Sequence, residues 1–224
     1  MTAALLVSTS VYRRADSVIW ISFAAFVLFS AVVATRLLYP VDAWVLRASQ
    51  SLASEGLDAV GVVLSLPGTA EYSGVALLVL CAGLFFTGRR SLAGGIFAAF
   101  LATGLVELAM KTWLPQAPVP EGAARSADPS PLLDMYYPYP YPSGHMLRAV
   151  IVFGAVFLFW PNRLLRTTVL VLLLGLAASR VYLGVHWTSD VIGGALLGVA
   201  GLAWAFRQEA SGHRLQASAR KPEP

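Results

Sequence analysis

Six apolar stretches recur along this chain, each close to the length a helix needs to cross a bilayer: about 17–38, 72–87, 91–110, 144–160, 165–181 and 191–206. A spanning helix takes about 20 largely apolar residues, within a range of about 17–25. Inside hydrocarbon every backbone N–H and C=O must be paired within the protein, so repeated runs of this kind predict an all-α, polytopic membrane fold. Charge agrees. Only 12% of the residues are charged, where a soluble domain carries about 25%.

The first run exceeds the roughly 7–15 residues of a signal-peptide apolar region, so it reads as a retained anchor despite the cleavage-like Ala31-x-x-Ala34. Residues 41–66 differ. Asp42, Arg47, Gln50, Glu55 and Asp58 interrupt an apolar stripe of Trp44, Val45, Leu46, Leu52, Leu57 and Val60, a pattern that predicts an interfacial helix. Pro67-Gly68 ends it. The architecture expected is a six-helix transmembrane bundle with an interfacial helix between spans one and two. It forms one domain over 1–206, followed by a polar tail, 207–224, whose composition predicts disorder.

The formal net charge is +4, and most of the basic residues lie in short loops and the tail. That placement fits membrane orientation, so no nucleic-acid partner is expected. Arg13, Arg14, Arg89, Arg90, Arg163, Arg166, Arg207, Arg214, Arg220 and Lys221 fall on one face, expected to be cytoplasmic together with both termini. Cys81 is the single cysteine, which excludes an intrachain disulfide; it sits in an apolar run as a small core residue.

An even number of crossings places three distant segments on the opposite, outer face: the loop beginning at Lys111, the turn Pro142-Ser143-Gly144-His145, and Ser179 to Asp190. The second of these opens a helix, where unpaired N–H groups favour an anion such as phosphate. Ser143 can cap that helix or donate to an oxyanion, Gly144 permits close approach of the backbone, and His145 stands beside any phosphate held there. A capped helix start with an interfacial histidine is the alternative. In the third segment Arg180 offers a planar fork for phosphate oxygens. Asp190 follows His186 by one helical turn and can take its Nδ1 proton, leaving Nε2 as a nucleophile. Interface anchoring by His, Trp, Thr and Ser is the alternative here, but an arginine, a histidine and an aspartate among spans mark function by default.

Pro142-Ser143-Gly144-His145, with Ser179-Arg180-x5-His186-x3-Asp190, resembles the second and third signatures of the type 2 phosphatidic acid phosphatase family, over about residues 70–200. The resemblance implies that His186 attacks phosphorus to form a phosphohistidine, oriented by Asp190. It also implies that His145 protonates the leaving oxygen and then activates water, while Lys111, Arg180, Ser143 and the Gly144 amide hold the phosphate. No metal or cofactor is implied. The family's first signature ends in Arg-Pro seven residues after its lysine, but this chain has Pro118-Val119 there. Arg125 and Arg148 are the candidates to replace the missing arginine, and Glu107 is expected to pair with Lys111. Glycines 94, 95, 193, 194 and 198 read as helix-packing positions, and Tyr136–Tyr141 as an aromatic interface anchor.

The function implied is hydrolysis of a lipid phosphate or pyrophosphate at the outer face of the cell membrane, with membrane lipids as partners. Polyprenyl pyrophosphate ranks ahead of phosphatidic acid and phosphatidylglycerol phosphate, because a recycled cell-wall carrier must lose a phosphate outside the cytoplasm. Two other readings stay open: a phosphotransferase with a non-water acceptor, and a degenerate binding or transport protein, suggested by the missing Arg-Pro.

Overall fold

The computed structural model describes the backbone of residues 9–125 and 137–219 and the side chains of 17–125 and 137–208. Tyr136, Arg220 and Lys221 lie outside the described residues, as do the side chains of Arg13, Arg14, His213 and Arg214. Eight α-helices form among the described residues: α1 (Thr9–Ala34), α2 (Tyr39–Gln50), α3 (Glu55–Ser65), α4 (Ala70–Phe86), α5 (Arg90–Trp113), α6 (Gly144–Phe159), α7 (Arg163–Tyr182) and α8 (Thr188–Ala219). Four of them are long and apolar enough to cross a membrane: α1 over Ser17–Ala34, α5, α7, and α8 over Thr188–Gln208. A fifth is added if α3 and α4, bent by 44° about the short 3-10 turn Leu66–Gly68, are one broken span. The apolar α6, at 16 residues, is shorter.

Two expectations about helix boundaries change. The segment 41–66, expected as one interfacial helix, forms two helices, α2 and α3. Ser54 adopts an extended conformation and its side chain accepts a hydrogen bond from Leu57 N, so a new helix starts there. Glu55 and Asp58, read from sequence as polar interruptions, occupy the first turn of α3, where the helix dipole favours carboxylates. At the other end of the chain, α8 runs past Phe206 to Ala219, into the segment read as a separate polar tail.

Helix α8 is central, packed against α1, α5 and α6. Its span is 67% buried, against 22% for α1 and 28% for α7. The core contains Phe26 and Val33 of α1, Leu92 and Ile96 of α5, Leu147 and Ile151 of α6, and Leu197 and Phe206 of α8. Close approach depends on small residues. A Cβ at Gly198 would lie 2.8 Å from Val150 Cβ, and one at Gly95 3.1 Å from Ala205 O, whereas Gly94 has nothing within 4 Å. The outward faces carry Trp20, Ile21 and Leu28, Val75 and Leu78, Leu101 and Leu105, and Leu170 and Leu174, all exposed. Apolar rows on that scale are suited to lipid rather than water.

Connectivity puts the C-terminal ends of α5 and α7 and the N-terminal ends of α6 and α8 at one end of the bundle. The opposite end gathers the α4–α5 and α6–α7 turns, where the Arg89 guanidinium lies 4.7 Å above the Phe159 ring. Arg90, Arg163 and Arg166 share that basic end, and the histidine turns share the other. Tyr141 is fully buried, stacked on Phe26 and hydrogen-bonded to Ser30 Oγ at 2.8 Å. It therefore locks α1 to the start of α6 instead of anchoring an interface.

Candidate active site

The turn between α7 and α8 builds one wall. Gly184 has a positive φ of 70°, which lets the chain reverse, and the Arg180 carbonyl accepts from His186 N at 3.3 Å. Helix α8 then begins, with Asp190 in its first turn. The spacing read from sequence places the imidazole on the carboxylate: His186 Nδ1 is 3.1 Å from Asp190 Oδ2. The same oxygen accepts from Trp187 N at 2.8 Å, and Oδ1 accepts from Gln116 Nε2 at 2.7 Å. Asp190 is completely buried, so these donors fix its plane. With Nδ1 as the donor to Asp190, the lone pair of His186 is on Nε2.

A second carboxylate stands behind the first. Asp42 of α2 accepts from Ser189 N at 2.9 Å and from Ser189 Oγ at 2.7 Å, holding the first turn of α8. Burial pushes the Asp42 carboxyl above the usual carboxylate range, and the Ser189 hydrogen bonds oppose that rise. Gln116 Nε2 also lies 3.2 Å from Ser189 Oγ. The hydrogen bonds thus run from Asp42 through Ser189 and Gln116 to Asp190 and His186. Replacing Gln116 by leucine removes one donor to a buried carboxylate. We expect kcat to fall by about 10–100-fold with KM nearly unchanged, since such a bond is worth about 1.5–3 kcal/mol. Steady-state kinetics check this, and a change confined to KM would remove Gln116 from the pair's support.

The start of α6 forms the facing wall. Ser143 N donates to the Asp190 carbonyl at 2.9 Å, docking the two helix starts together. Gly194 permits this: a Cβ there would collide with the Ser143 carbonyl and lie 3.3 Å from Leu147 N. Ser143 occupies the N-cap position, yet its side chain makes no cap bond, and its buried Oγ has no hydrogen-bond partner among the described residues. His145 is 5% exposed, and Arg180, Arg148, His186 and Lys111 all lie within electrostatic reach of it. Arg180 is 1% exposed and donates from Nη1 to Ser65 Oγ at 2.6 Å. The 3-10 turn after Ser65 presses on the site as well. A Cβ on Gly68 would lie 2.8 Å from His145 Cβ, and the Gly68 carbonyl accepts from Arg148 Nε at 3.2 Å.

Lys111 and Arg148 share one carboxylate, that of Glu107, at 3.0 and 3.2 Å. Lys111 Nζ also sits 5.0 Å from the Tyr137 ring centroid. Arg125 is placed elsewhere. Its guanidinium makes a two-point pair with Asp58, at 2.6 and 2.9 Å, and Tyr182 OH donates to the same carboxylate at 2.6 Å. The Asp58 carboxylate holds the Arg125 pKa above its ordinary value.

Gln116, Asp42, Ser65, Gly68 and the bridging role of Glu107 were not read from the sequence as parts of the site. Asp42 carried a usable signal, being an acid on an apolar-striped helix at the membrane edge. Gln116 carried none, because a lone amide in an irregular loop has no periodicity to read.

The model of the PAP2 superfamily matches residues 75–213. Over 189 residues the chain is 25% identical to phosphatidylglycerophosphatase B of Bacillus subtilis, a match covering 79% of this chain and 87% of that protein. It is 40% identical over 76 residues to a putative undecaprenyl-diphosphatase, YbjG, of Escherichia coli, covering 34% of this chain but only 38% of that relative's length. The fold is that of the transmembrane PAP2-type phosphatidylglycerolphosphate phosphatase of B. subtilis (TM-score 0.70, 20% identity, 91% of this chain and 98% of that one). It also resembles LpxE of Aquifex aeolicus (TM-score 0.50, 20% identity, 70% and 90%). With the matched segment spanning the histidine turns and most of the bundle, the chain is an integral membrane protein that belongs to the PAP2 superfamily.

Proposed function

We propose that this protein is a lipid phosphate or pyrophosphate phosphatase working through a phosphohistidine on His186. The observation that carries the reading is the His186–Asp190 pair, which engages a buried histidine through Nδ1 and leaves Nε2 to act as the nucleophile. In the first step His186 Nε2 forms a bond to phosphorus as the bond from phosphorus to the lipid oxygen breaks, and His145 gives its proton to that oxygen. In the second step His145 takes a proton from water, whose oxygen attacks phosphorus and releases His186. Arg180, Lys111, Arg148, the Ser143 hydroxyl and the Gly144 amide stabilise the equatorial oxygens. Those groups are cations, a hydroxyl and an amide, which supply the charge a metal would otherwise bring.

Arg148 is our choice to replace the missing first-signature arginine. It reaches the same carboxylate as Lys111 and acts on His145, while Arg125 is held by Asp58. Counting α3 with α4 as one span and α6 as another gives six crossings, with both termini and the basic turns cytoplasmic and the histidines at the outer face. A site at that edge reaches a headgroup while the lipid tail stays in the bilayer. Polyprenyl pyrophosphate remains first among the candidate substrates, supported by the likeness to the E. coli relative. Phosphatidylglycerol phosphate is supported by the two B. subtilis comparisons, and phosphatidic acid is the third candidate.

The test is phosphate release by purified protein from a panel of these three lipids, with and without EDTA. We expect release from at least one lipid at a rate EDTA leaves unchanged. Loss with EDTA and rescue by magnesium would overturn the metal-independent mechanism. Phosphoryl transfer to an added alcohol in preference to water would favour the transferase reading.

A further inference from the structure

Glu107 does more than neutralise the lysine one turn along its helix. Its Oε1 is 3.0 Å from Lys111 Nζ on α5 and its Oε2 is 3.2 Å from Arg148 Nη1 on α6, so one carboxylate bridges cations from two helices. The same group lies against Gly144, the first residue of α6. A Cβ built on Gly144 would fall 2.6 Å from Glu107 Cδ and would collide with Oε1. Glu107 is 8% exposed, and the residue before Gly144 is Ser143, whose buried Oγ has no hydrogen-bond partner among the described residues. An anion between two cations, at a helix start, has the surroundings that suit a phosphate. Its two oxygens match two of the non-bridging oxygens of a phosphoryl group.

We propose that Glu107 is a resident anion: it holds the phosphate position in the empty site, yields Lys111 and Arg148 to the substrate, and returns to them to displace inorganic phosphate. This rests on the reading of Lys111 and Arg148 as phosphate ligands. A site that stabilises a phosphoryl transition state also retains the product, and slow release then limits turnover. An internal carboxylate lowers that retention, because phosphate must compete with it for both cations. Glu107 and Lys111 are one turn apart on the same helix, so side-chain rotation is enough to exchange partners. No covalent step is involved.

The experiment is inhibition by inorganic phosphate in wild type and Glu107→Gln, measured in detergent. Removing the competing charge is expected to tighten phosphate about tenfold, within the usual range of coupling between two ligands of one protein, and to lower kcat as release becomes limiting. If Glu107 only positions Lys111 and Arg148, the variant will bind phosphate more weakly, and an unchanged or weaker affinity overturns the proposal. Should Glu107→Gln not fold, Glu107→Asp keeps the charge but withdraws the carboxylate by one methylene, and a smaller tightening is expected. Phosphate affinity is also read from the rise in Tm with phosphate concentration, which needs no turnover. Absence of His186-dependent release in wild type would sink the phosphatase reading, whereas absence of tightening in the variants would sink this one alone.

Discussion

Replacing His186 by alanine is expected to reduce phosphate release by at least about 10⁴-fold, the scale on which enzymes lose turnover with their nucleophile. The argument is geometric. Asp190 is buried and accepts from His186, Trp187 N and Gln116, so its position does not depend on substrate. The alanine variant keeps the Trp187 and Gln116 bonds to Asp190 and loses the imidazole that would bond to phosphorus. Its folding can be checked by Tm and by phosphate binding, which Arg180, Lys111 and Arg148 would still support. Retention of more than about 1% of the wild-type rate, well above that expected scale, would sink the nucleophile assignment and turn attention to His145. A burst of acid-labile phosphoprotein in wild type, absent from His186→Ala, would identify the intermediate directly.

The histidine–aspartate pair was legible in the sequence because it is local: four residues fix the relation of an imidazole to a carboxylate where a helix starts. Likewise, the apolar runs foretold the helices, since spanning length is a property of each segment alone. What the sequence concealed is whatever needs two distant segments to meet. Gln116 and Asp190 are joined only because the loop after α5 crosses the α8 start, pinned there by the Trp187 Nε1 bond to the Ala117 carbonyl at 2.8 Å. Pro67-Gly68 read as a helix breaker, yet the turn it makes brings Ser65 to Arg180 and the Gly68 carbonyl to Arg148. Polar residues in 41–66 suggested one interfacial helix because composition records polarity without saying what answers it. Asp42 is answered by Ser189, and Asp58 by Arg125 and Tyr182.

The departure at Pro118-Val119 leads to the second large effect, a comparison of two arginines. Arg148→Ala is expected to remove about 2–4 kcal/mol of transition-state stabilisation, the loss seen for one oxyanion donor. That corresponds to roughly 30- to 900-fold in kcat/KM. Arg125→Ala is expected to leave kcat/KM within about threefold of wild type, as suits an exposed surface pair. The contrast follows from their partners. Arg148 comes from the helix whose first turn carries His145, and its Nε bond to the Gly68 carbonyl aims the guanidinium at the carboxylate it shares with Lys111. Arg125 would have to leave both oxygens of Asp58 to reach phosphate, and Tyr182 holds that carboxylate in place. Arg148→Lys separates charge from shape: a lysine keeps the charge but donates from a single nitrogen, without the fork that meets Gly68 through Nε and the carboxylate through Nη1, so only partial recovery is expected. A severe loss in Arg125→Ala with a near-normal Arg148→Ala would reverse the assignment, and would require the loop bearing Arg125 to fold over the site when substrate binds.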